Sequence, residues 1–526
     1  VIPLEEIPIT EKYLSEKELD TPVQTFPIDV YMCLDCHHVQ LMDVINPDIL
    51  WDDFTFRTGQ ASIIIDHMQD VASITCEQFG IPKGSLIIDV GSNDGTMLGF
   101  FKNKGMKVIG VDPAKEIANE ANKAGIPTIP EFMTTELAKK ISLEHGKAAL
   151  VNCFNTFAHA ENMDELMSSI SLLVADDGLF MFEVSYLVDI IDDLLLGAII
   201  HEHLCHHSVL PMVKFLKKHN MELIDVRRNK FQGGSFIGIA QHIGSKRKVE
   251  ESVSELIKME ENKNFTDPST IESFSIRLND LEKKFKKMIS NWEKESHLIA
   301  GYGAARSGPT LIAQFKIGSK LSFIVDDHPQ KVNKYSPGDK IKVLPTSELC
   351  RRMPKYTIIL AWVHAEAIIR NNQDYLEKGG NFVVLLPEIK IISADINPLN
   401  AGLYRSDKAI IVPRVENKNA LSWYIKNLNK HKIDILMVGS EYDLLFFSKN
   451  KEIIEKNTSC KICVSSIETV KISEDKFLTQ EFLKKNQLPH LKTFIPRNIK
   501  HAMDITKKLG FPLFLKSRFG TSTRNV

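Results

Sequence analysis

The sequence predicts an α/β fold built from successive doubly wound parallel sheets. Short apolar runs alternate with helical segments from residue 61 onward, and two of these runs pass directly into glycine-containing loops. Size agrees with this prediction, because 526 residues with 43% hydrophobic and 25% charged side chains provide core for about three or four domains.

Charge and hydropathy narrow the class of ligand. Lysine and arginine total 65 against 67 acidic residues, a formal net charge of -2, which is untypical of a protein that wraps nucleic acid or coats an anionic membrane. The longest apolar stretches, such as residues 194–200, are shorter than the roughly 20 residues that span a bilayer, and no signal-peptide pattern opens the chain. We therefore expect small-molecule ligands, no nucleic-acid or membrane partner, and a cytoplasmic location.

Changes in composition along the chain divide it into five regions. The predicted regions are a small irregular lobe at residues 1–60, a first α/β domain at 61–245, a helical connector at 246–295, a second Rossmann-like domain at 296–395 and a third α/β region at 400–526. The chain opens on Val1 and closes on residues 520–526, which resemble an interrupted phosphate loop. We therefore expect a fragment of a longer protein.

The first glycine loop, residues 89–95, follows the apolar run at residues 86–90. Asp112 lies about 20 residues downstream, where an acidic side chain can accept hydrogen bonds from both hydroxyls of a ribose. Asp89 and Asp94 flank this loop; two carboxylates repel a pyrophosphate and suit a cationic sulfonium or amino group. This favours S-adenosylmethionine over NAD, although an NAD-dependent nucleotide-sugar oxidoreductase or epimerase stays open as an alternative.

Several short motifs in a fixed order resemble the three-lobed S-adenosylmethionine-dependent C-methyltransferases that add a methyl branch to nucleotide-activated deoxysugars. The resemblance covers about residues 5–393. Its motifs are Cys33-Leu-Asp-Cys36, the loop at Asp89, Asn155-Thr-Phe-Ala-His159, Phe182-Glu-Val, His201-Glu-His-Leu204, Gly233-Gly-Ser235, and Gly301-Tyr-Gly-Ala with Asp326-Asp-His-Pro. It implies a zinc-binding lobe, a Rossmann-like class I methyltransferase domain and a second Rossmann-like domain.

The same resemblance implies a reaction and its residues. A base removes the proton beside a ketone of a nucleotide diphosphate-linked 4-keto-deoxysugar, for example a dTDP-linked one, and the enolate takes the sulfonium methyl. His203 is the implied base, and Glu202 and His159 orient the sugar and hold its keto oxygen. The expected cofactor-binding residues are Asp89, Gly91, Asn93, Gly95, Asp112 and Asn155, and the expected substrate-binding residues are Gly233, Gly234, Ser235, Gly301, Gly303 and Arg306.

Two alternatives concern the histidines. His159 alone is more often a structural histidine. The segment from His201 to His207 could instead bind zinc, because His201, His203 and Cys205 would share one face if the segment were a strand.

Two departures from the family pattern affect the substrate. Phe54 and Ile200 stand where the family usually carries tyrosine, so two hydroxyls that would contact the sugar are missing. The identity of the sugar and full activity therefore stay open, and a non-catalytic nucleotide-sugar-binding protein is a further alternative.

The zinc lobe contains one Cys-x-x-Cys pair, Cys33 and Cys36, where the family uses two. We expect the second pair to precede Val1, or His37 or His38 to complete the site; a third alternative is that the cysteine pair is merely structural. A zinc ion held there would stabilise the lobe rather than catalyse.

The C-terminal region, residues 472–520, resembles the start of ATP-grasp ligases. The resemblance implies that Lys516 contacts the phosphates of ATP, although Ser517 replaces the usual proline. The acidic Mg²⁺ ligands of such enzymes are absent, so we expect this region not to catalyse a reaction alone. Fusion to a sugar methyltransferase suggests a glycan-modification pathway.

Overall fold

The computed structural model describes residues 1–46, 49–50, 56–60, 62–386, 392–400, 403, 406 and 408–519. The chain divides into two units, Val1–Ile389 and Lys390–Val526. No helix in the described residues is long and apolar enough to cross a membrane.

The strands of the first unit run in chain order from the N-terminal lobe to the second Rossmann-like sheet. They are β1 (Ile7–Pro8), β2 (Thr25–Phe26), β3 (Val30–Met32), β4 (Val39–Leu41), β5 (Leu86–Val90), β6 (Lys107–Val111), β7 (Thr128–Ile129), β8 (Ala148–Phe154), β9 (Val174–Ser185), β10 (Cys205–His206), β11 (Met221–Asn229), β12 (Ser235–His242), β13 (Ile299–Tyr302), β14 (Ile324–Val325), β15 (Val343–Leu344), β16 (Tyr356–Ile359) and β17 (Asn381–Val383).

The helices of the first unit connect these strands. They are α1 (Ser62–Gln78), α2 (Thr96–Asn103), α3 (Lys115–Lys123), α4 (Thr135–His145), α5 (Met163–Leu173), α6 (Leu187–Asp192), α7 (Val209–Lys218), α8 (Glu251–Asn262), α9 (Pro268–Lys294), α10 (Ser307–Phe315), α11 (Ser347–Arg352), α12 (Ala365–Asn371) and α13 (Gln373–Glu377).

The N-terminal lobe is held by two small antiparallel sheets. Strands β1 and β2 pair with each other, and β3 and β4 form a hairpin. Strand β10, about 165 residues later, adds to the free edge of β4, with Cys205 opposite Gln40 and His206 opposite Val39. The segment that carries the histidine motif is therefore attached to the lobe.

A seven-stranded sheet forms the centre of the first unit, in the order β11-β12-β9-β8-β5-β6-β7. All neighbours are parallel except β12, which runs antiparallel to β9 and β11. Every residue of β5 is buried, as expected for a central strand covered on both faces. Helices α1 and α2 cover one face, and α4 and α5 cover the other. The predicted Rossmann-like α/β fold is confirmed.

Two helices, α8 and α9, lead from this sheet to the next. The Asp267 side chain accepts a hydrogen bond from the Ser269 N–H and Pro268 occupies the first turn, so α9 begins with a capped end. Its apolar side chains recur at helical spacing and are buried, including Ile271, Phe274 and Leu278.

The second Rossmann-like sheet has five parallel strands in the order β15-β14-β13-β16-β17. Its first strand, β13, is central, so the loop that follows β13 lies at the carboxyl edge between β14 and β16.

The second unit contains two pairs of parallel strands and several helices. Their bounds are β18 (Ile392–Asp395), β19 (Lys408–Ile411), β20 (Ile435–Met437), β21 (Lys461–Cys463), α14 (Ala420–Lys430), α15 (Glu441–Asn457), α16 (Ile467–Glu474), α17 (Lys476–Lys485) and α18 (Ile499–Leu509). Its core is formed by side chains from α14, α15 and β21, including Tyr424, Phe447 and Ile462.

Candidate functional site

The first predicted loop begins at the carboxyl end of β5. Asp89 is 3% exposed, and burial, with a smaller contribution from the charge of Asp112, raises the pKa of Asp89 to about 7. Its Oδ1 atom has no hydrogen-bond partner among the described residues. Such a carboxyl group gains from a cationic or hydrogen-bond-donating ligand.

The glycines of this loop are required by its backbone. Gly91 and Gly95 both have φ of 77°. A Cβ atom on Gly91 would lie 2.1 Å from the Thr156 Oγ1 atom, so only glycine fits where the β5 and β8 loops meet.

Asp112, at the end of β6, holds two backbone amides. One carboxylate oxygen accepts the Asn93 N–H at 2.8 Å and the other accepts the Ala114 N–H at 2.9 Å. Burial raises the pKa of Asp112, and these two hydrogen bonds oppose that shift. Each oxygen retains a lone pair with which to accept from a ribose hydroxyl.

The side chains of Asn93 and Asp94 hold the segment at residues 56–60. The Asn93 Oδ1 atom accepts from the Thr58 N–H at 2.9 Å, and its Nδ2 donates to the Phe56 carbonyl at 3.1 Å. The Asp94 carboxylate accepts from the Gly59 N–H at 2.7 Å. Both the Asn93 side chain and its backbone N–H, which donates to Asp112, are thus engaged in holding the loop.

Two polar residues near this loop were not singled out from the sequence. Asn152 lies opposite Asp89 in the β5–β8 pair and is fully buried, yet neither of its amide atoms has a partner among the described residues, and the same is true of Ser92 Oγ. The signal was available, because Asn152 interrupts an otherwise apolar run. With Asp89, these groups fit the polar parts of S-adenosylmethionine.

Asn155 follows β8 with φ of 51°, and its N–H donates to the Glu183 carbonyl. The Glu183 carboxylate is fully buried; it lies 2.9 Å from His67 Nε2 and accepts from Asn229 Nδ2 at 2.7 Å. The His67 ring stacks on Phe231 with centroids 4.4 Å apart. This network ties the end of β9 to the predicted substrate segment at residues 233–235.

The predicted base, His203, has a defined orientation. Its Nδ1 atom lies 2.7 Å from the Ala198 carbonyl oxygen, which can only accept, so Nδ1 carries a proton and the neutral ring presents a basic Nε2. Burial lowers the pKa of His203, against smaller raising effects of the Ala198 carbonyl and Glu202. The ring stacks on His159, with centroids 5.3 Å apart and 18° between planes.

His159 and Glu202 lie beside this base. Burial, followed by the charges of His203 and Arg306, lowers the pKa of His159 well below its ordinary value, which favours a neutral ring. Glu202 is 3% exposed; its Oε1 accepts from Thr10 Oγ1 at 2.9 Å, and its Oε2 has no partner among the described residues. His159 and His203 thus stack on each other, and the charge of Glu202 acts on His203.

The alternative of a zinc site in the histidine motif is wrong for the described residues. His201 and Glu202 lie in a turn rather than a strand, and β10 begins only at Cys205. His201 instead packs edge-on against Phe26, 5.8 Å between centroids. No group of three or more His, Cys, Asp or Glu among the described residues is arranged to hold a metal ion.

Cys33 and Cys36 lie in the turn between β3 and β4, both exposed. The backbone amides of Cys36 and Asp35 lower the pKa of Cys33, which favours the thiolate that binds zinc. Burial lowers the pKa of His38 to about 4. Within the described part of the chain neither His37 nor His38 joins the two thiols in a metal-binding group, so the site has two ligands there.

The predicted substrate segment at residues 233–235 is a tight turn against the second Rossmann-like sheet. Gly233 has φ of 89° and Gly234 has φ of 149°. A Cβ atom on Gly233 would lie 2.5 Å from the Trp362 ring, and the Ser235 hydroxyl donates to the Phe231 carbonyl at 3.0 Å. Glycine is therefore required in this turn, because a side chain at Gly233 would overlap the Trp362 ring.

The second loop, after β13, repeats the arrangement of the first. Gly303 has φ of 95°, and a Cβ atom there would lie 2.4 Å from that of Ala361. The Asp326 carboxylate accepts the N–H groups of Ala304 at 2.6 Å and His328 at 2.7 Å. A Cβ atom on Gly301 would meet its nearest neighbour at 3.0 Å.

Arg306 follows this loop immediately before α10. Its Nε lies 3.4 Å from Glu11 Oε1, and its guanidinium lies over the Phe56 ring, 5.1 Å from the centroid. The predicted phosphate-binding cation is therefore placed beside the loop glycines.

The positions that depart from the family pattern differ in outcome. Ile200 is 3% exposed, so the position offers an apolar wall next to the base. Phe54 lies outside the described residues.

In the second unit, Lys516 is exposed in a segment without regular secondary structure. The Cys460-Lys-Ile-Cys463 pair of that unit, which the sequence analysis did not weigh, has one buried and one exposed thiol at β21.

Comparison with protein families agrees with this organisation. The models that match the chain describe a zinc binding domain at residues 1–51, a methyltransferase domain at 66–226, a C-methyltransferase C-terminal domain at 230–387 and a PylC-like N-terminal domain at 380–462. Among curated proteins, the chain is 32% identical over 371 residues to the C-methyltransferase NovU of Streptomyces niveus, covering 70% of this chain and 88% of NovU.

Solved structures with some likeness include two methyltransferases. Magnesium protoporphyrin IX methyltransferase (ChlM) from Synechocystis PCC 6803 with bound SAM is 17% identical over 36% of this chain and 85% of its own, with a TM-score of 0.26. A SAM-dependent methyltransferase from Anabaena variabilis ATCC 29413 is 17% identical over 37% of this chain and 91% of its own, with a TM-score of 0.30.

Proposed function

The chain belongs to the family of S-adenosylmethionine-dependent C-methyltransferases, and on that premise we propose that its substrate is a nucleotide diphosphate-linked 4-keto-deoxysugar. The methyl group goes to the carbon beside the ketone. The family membership also removes the support for the alternative of an NAD-dependent oxidoreductase or epimerase.

The orientation of His203 is the observation that carries this proposal. A ring whose Nδ1–H donates to the Ala198 carbonyl at 2.7 Å keeps its Nε2 lone pair aimed away from that carbonyl. Because burial lowers the pKa of His203, the base is neutral at neutral pH and ready to take a proton. In the proposed step, Nε2 removes the proton from the carbon beside the ketone.

The enolate oxygen then needs a donor and the sugar needs orientation. His159, stacked on His203, and Glu202, with one oxygen open, are the proposed groups for these two roles. S-adenosylmethionine supplies an electrophilic methyl group when bound. The enolate carbon would take that methyl group while sulfur keeps the bonding electron pair, and His203 would hold the proton that it removed.

The diphosphate of the substrate is proposed to bind at the second loop. The loop at Gly301 and Gly303 would offer backbone N–H groups at the start of α10, and Arg306 can donate two parallel hydrogen bonds to a phosphate. Gly233, Gly234 and Ser235 would contact the sugar between the two loops. Thymine is the first candidate for the nucleobase of the substrate.

Solvent exchange tests the proposed base without methyl transfer. A panel of dTDP-linked 4-keto-deoxysugars is incubated in D₂O with the full chain and S-adenosylhomocysteine, and deuterium beside the ketone is followed by NMR. We expect exchange with the native sequence and a loss of about 10²–10⁴-fold with His203→Ala. His145→Gln, at an exposed histidine, is the matched control and should exchange normally.

Exchange that survives in His203→Ala would show that another group is the base. Binding of the nucleotide sugar without exchange or methylation by the native chain would instead favour a non-catalytic nucleotide-sugar-binding protein.

We also propose a structural zinc ion, an ATP contact and a cellular location. Zinc held by Cys33 and Cys36 would stabilise the N-terminal lobe without taking part in the reaction. Lys516 would contact ATP phosphates in the C-terminal unit. The location would be cytoplasmic.

A further inference from the structure

Two cations beside the second loop meet one carboxylate from the N-terminal lobe. Lys331 Nζ lies 2.9 Å from Glu11 Oε2 and 3.2 Å from Oε1, and Arg306 Nε lies 3.4 Å from Glu11 Oε1. Glu11 and Lys331 side chains are each only 11% exposed, and Arg306 is 22% exposed. This is a largely buried ion cluster, which is costly to desolvate and therefore needs close charge pairing.

The cluster is fixed in place from both sides. Leu14, three residues after Glu11, exchanges two backbone hydrogen bonds with Tyr335, so the lobe is fastened to the loop that carries Lys331. Lys331 also donates to the Ala304 carbonyl at 2.8 Å and lies over the Tyr13 ring, 5.0 Å from its centroid. The ammonium group is thus held directly at the second glycine loop.

Glu11 and Asp326 are two carboxylates at this loop, and they are held by different groups. The Asp326 carboxylate is held by the N–H groups of Ala304 and His328, so its position is fixed by the backbone. The Glu11 carboxylate is instead the group that both cations share.

We propose that Glu11 is an internal counter-anion that holds Arg306 and Lys331 until the diphosphate of the substrate replaces it, and that Lys331 is a phosphate-binding residue. This inference rests on the proposed function, because it assumes that a nucleotide diphosphate binds at the second loop. A diphosphate brings more negative charge than one carboxylate, so it can displace Glu11 from cations that are already in position.

The inference predicts opposite effects from neutralising the two partners. Glu11→Gln removes a competitor for the cations and should tighten binding of a diphosphate, whereas Lys331→Met removes a cation and should weaken it. A purely structural ion pair would give losses from both changes, since either one leaves a buried charge without its partner.

Isothermal titration of the full chain with inorganic pyrophosphate, and separately with dTDP, tests these signs. We expect binding to be about 3- to 10-fold tighter for Glu11→Gln and at least about 10-fold weaker for Lys331→Met. Glu5→Gln and Lys316→Met are the matched controls, because that pair, 2.8 Å apart, is exposed. Titration with S-adenosylhomocysteine checks folding in each variant.

If Lys331→Met does not fold, Lys331→Arg, which keeps the charge, should bind pyrophosphate within a few-fold of the native chain. Weaker binding in Glu11→Gln, no change in either variant, or no pyrophosphate or dTDP binding by the native chain would overturn the inference. The solvent-exchange assay tests the proposed function separately. If exchange occurs but the affinity changes of Glu11→Gln and Lys331→Met have the wrong direction, only the role of Glu11 and Lys331 is contradicted. If the affinities change as expected but no exchange occurs, only the proposed substrate is contradicted.

Discussion

The two glycine loops of the first unit share one backbone device. At each, an aspartate at the end of the second strand of its sheet accepts two amide N–H groups, one from the loop after the first strand and one two residues beyond itself. Asp112 holds Asn93 and Ala114, and Asp326 holds Ala304 and His328. Two sheets with different neighbours thus fix their loops in the same way.

The loops differ in the charges placed around that device. Asp89, buried with its pKa raised to about 7, and Asp94 surround the first, whereas Arg306 and Lys331 converge on the second. The backbone thus provides a general nucleotide loop, and the side chains around it select the charge of the ligand. The first loop suits a cation, and the second suits an anion.

The largest expected effect is a loss of catalysis without a loss of ligand binding at either glycine loop. His203→Ala should lower kcat by about 10²–10⁴-fold, because it removes the proposed base, while both loops stay intact. Methyl transfer from labelled S-adenosylmethionine measures this, and titrations with S-adenosylhomocysteine and pyrophosphate should give native affinities. A loss of either affinity would mean that His203 supports a loop, and the variant would not report on the base.

A crossed pair of substitutions tests the shared device. Asp112→Asn and Asp326→Asn each put an amide NH₂ group opposite a backbone N–H that needs an acceptor. The loss costs about 1–3 kcal/mol at a buried bond, or about 5- to 150-fold in affinity. We expect Asp112→Asn to weaken S-adenosylhomocysteine alone and Asp326→Asn to weaken pyrophosphate or dTDP alone. Each variant is the control for the other, and equal loss of both ligands in one variant would contradict independent loops.

The pH dependence of kcat/KM tests the assignment of His203 as the base. Burial lowers the pKa of His203 below the ordinary histidine value of about 6.5, so the neutral, active form persists to lower pH than for a free imidazole. We expect kcat/KM to be flat through neutral pH and to fall about tenfold per pH unit only below that value. An acid limb already present above pH about 7 would show that the lowered pKa, or the assignment of the base, is wrong.

The sequence was sufficient for features that depend on neighbouring residues. The apolar run of β5 and the spacing to Asp112 predicted a strand, a loop and an acid at the next strand end, and the Rossmann-like fold is confirmed. It was not sufficient where the contact is long-range or the local conformation is ambiguous. The alternative zinc site required a strand at His201 and Glu202, but these residues form a turn, because pairing with β4 begins only at Cys205.

Long-range partners show the same limit. Lys331 and Glu11 are in contact although they lie 320 positions apart in the sequence, and no local sequence pattern predicts this contact. Likewise the side chain of Asn93, in a loop that predicts a cofactor, is occupied by Thr58, 35 positions earlier. Charge and motif predict which residues face a loop; tertiary packing decides which of their atoms stay available.

The smallest expected effect follows from the charge difference alone. Raising the salt concentration from about 0.05 M to about 0.3 M shortens the Debye length from roughly 14 Å to roughly 6 Å, so pyrophosphate binding beside Arg306 and Lys331 should weaken about 2- to 5-fold. S-adenosylhomocysteine carries one ammonium and one carboxylate, so its binding should change less than about 1.5-fold. Calorimetric titration of both ligands on one preparation makes the first loop the control for the second. If the affinities for the two ligands depend equally on salt, the side-chain charges around the loops do not select the ligand. The different ligand preferences of the two loops would then come from their shapes alone.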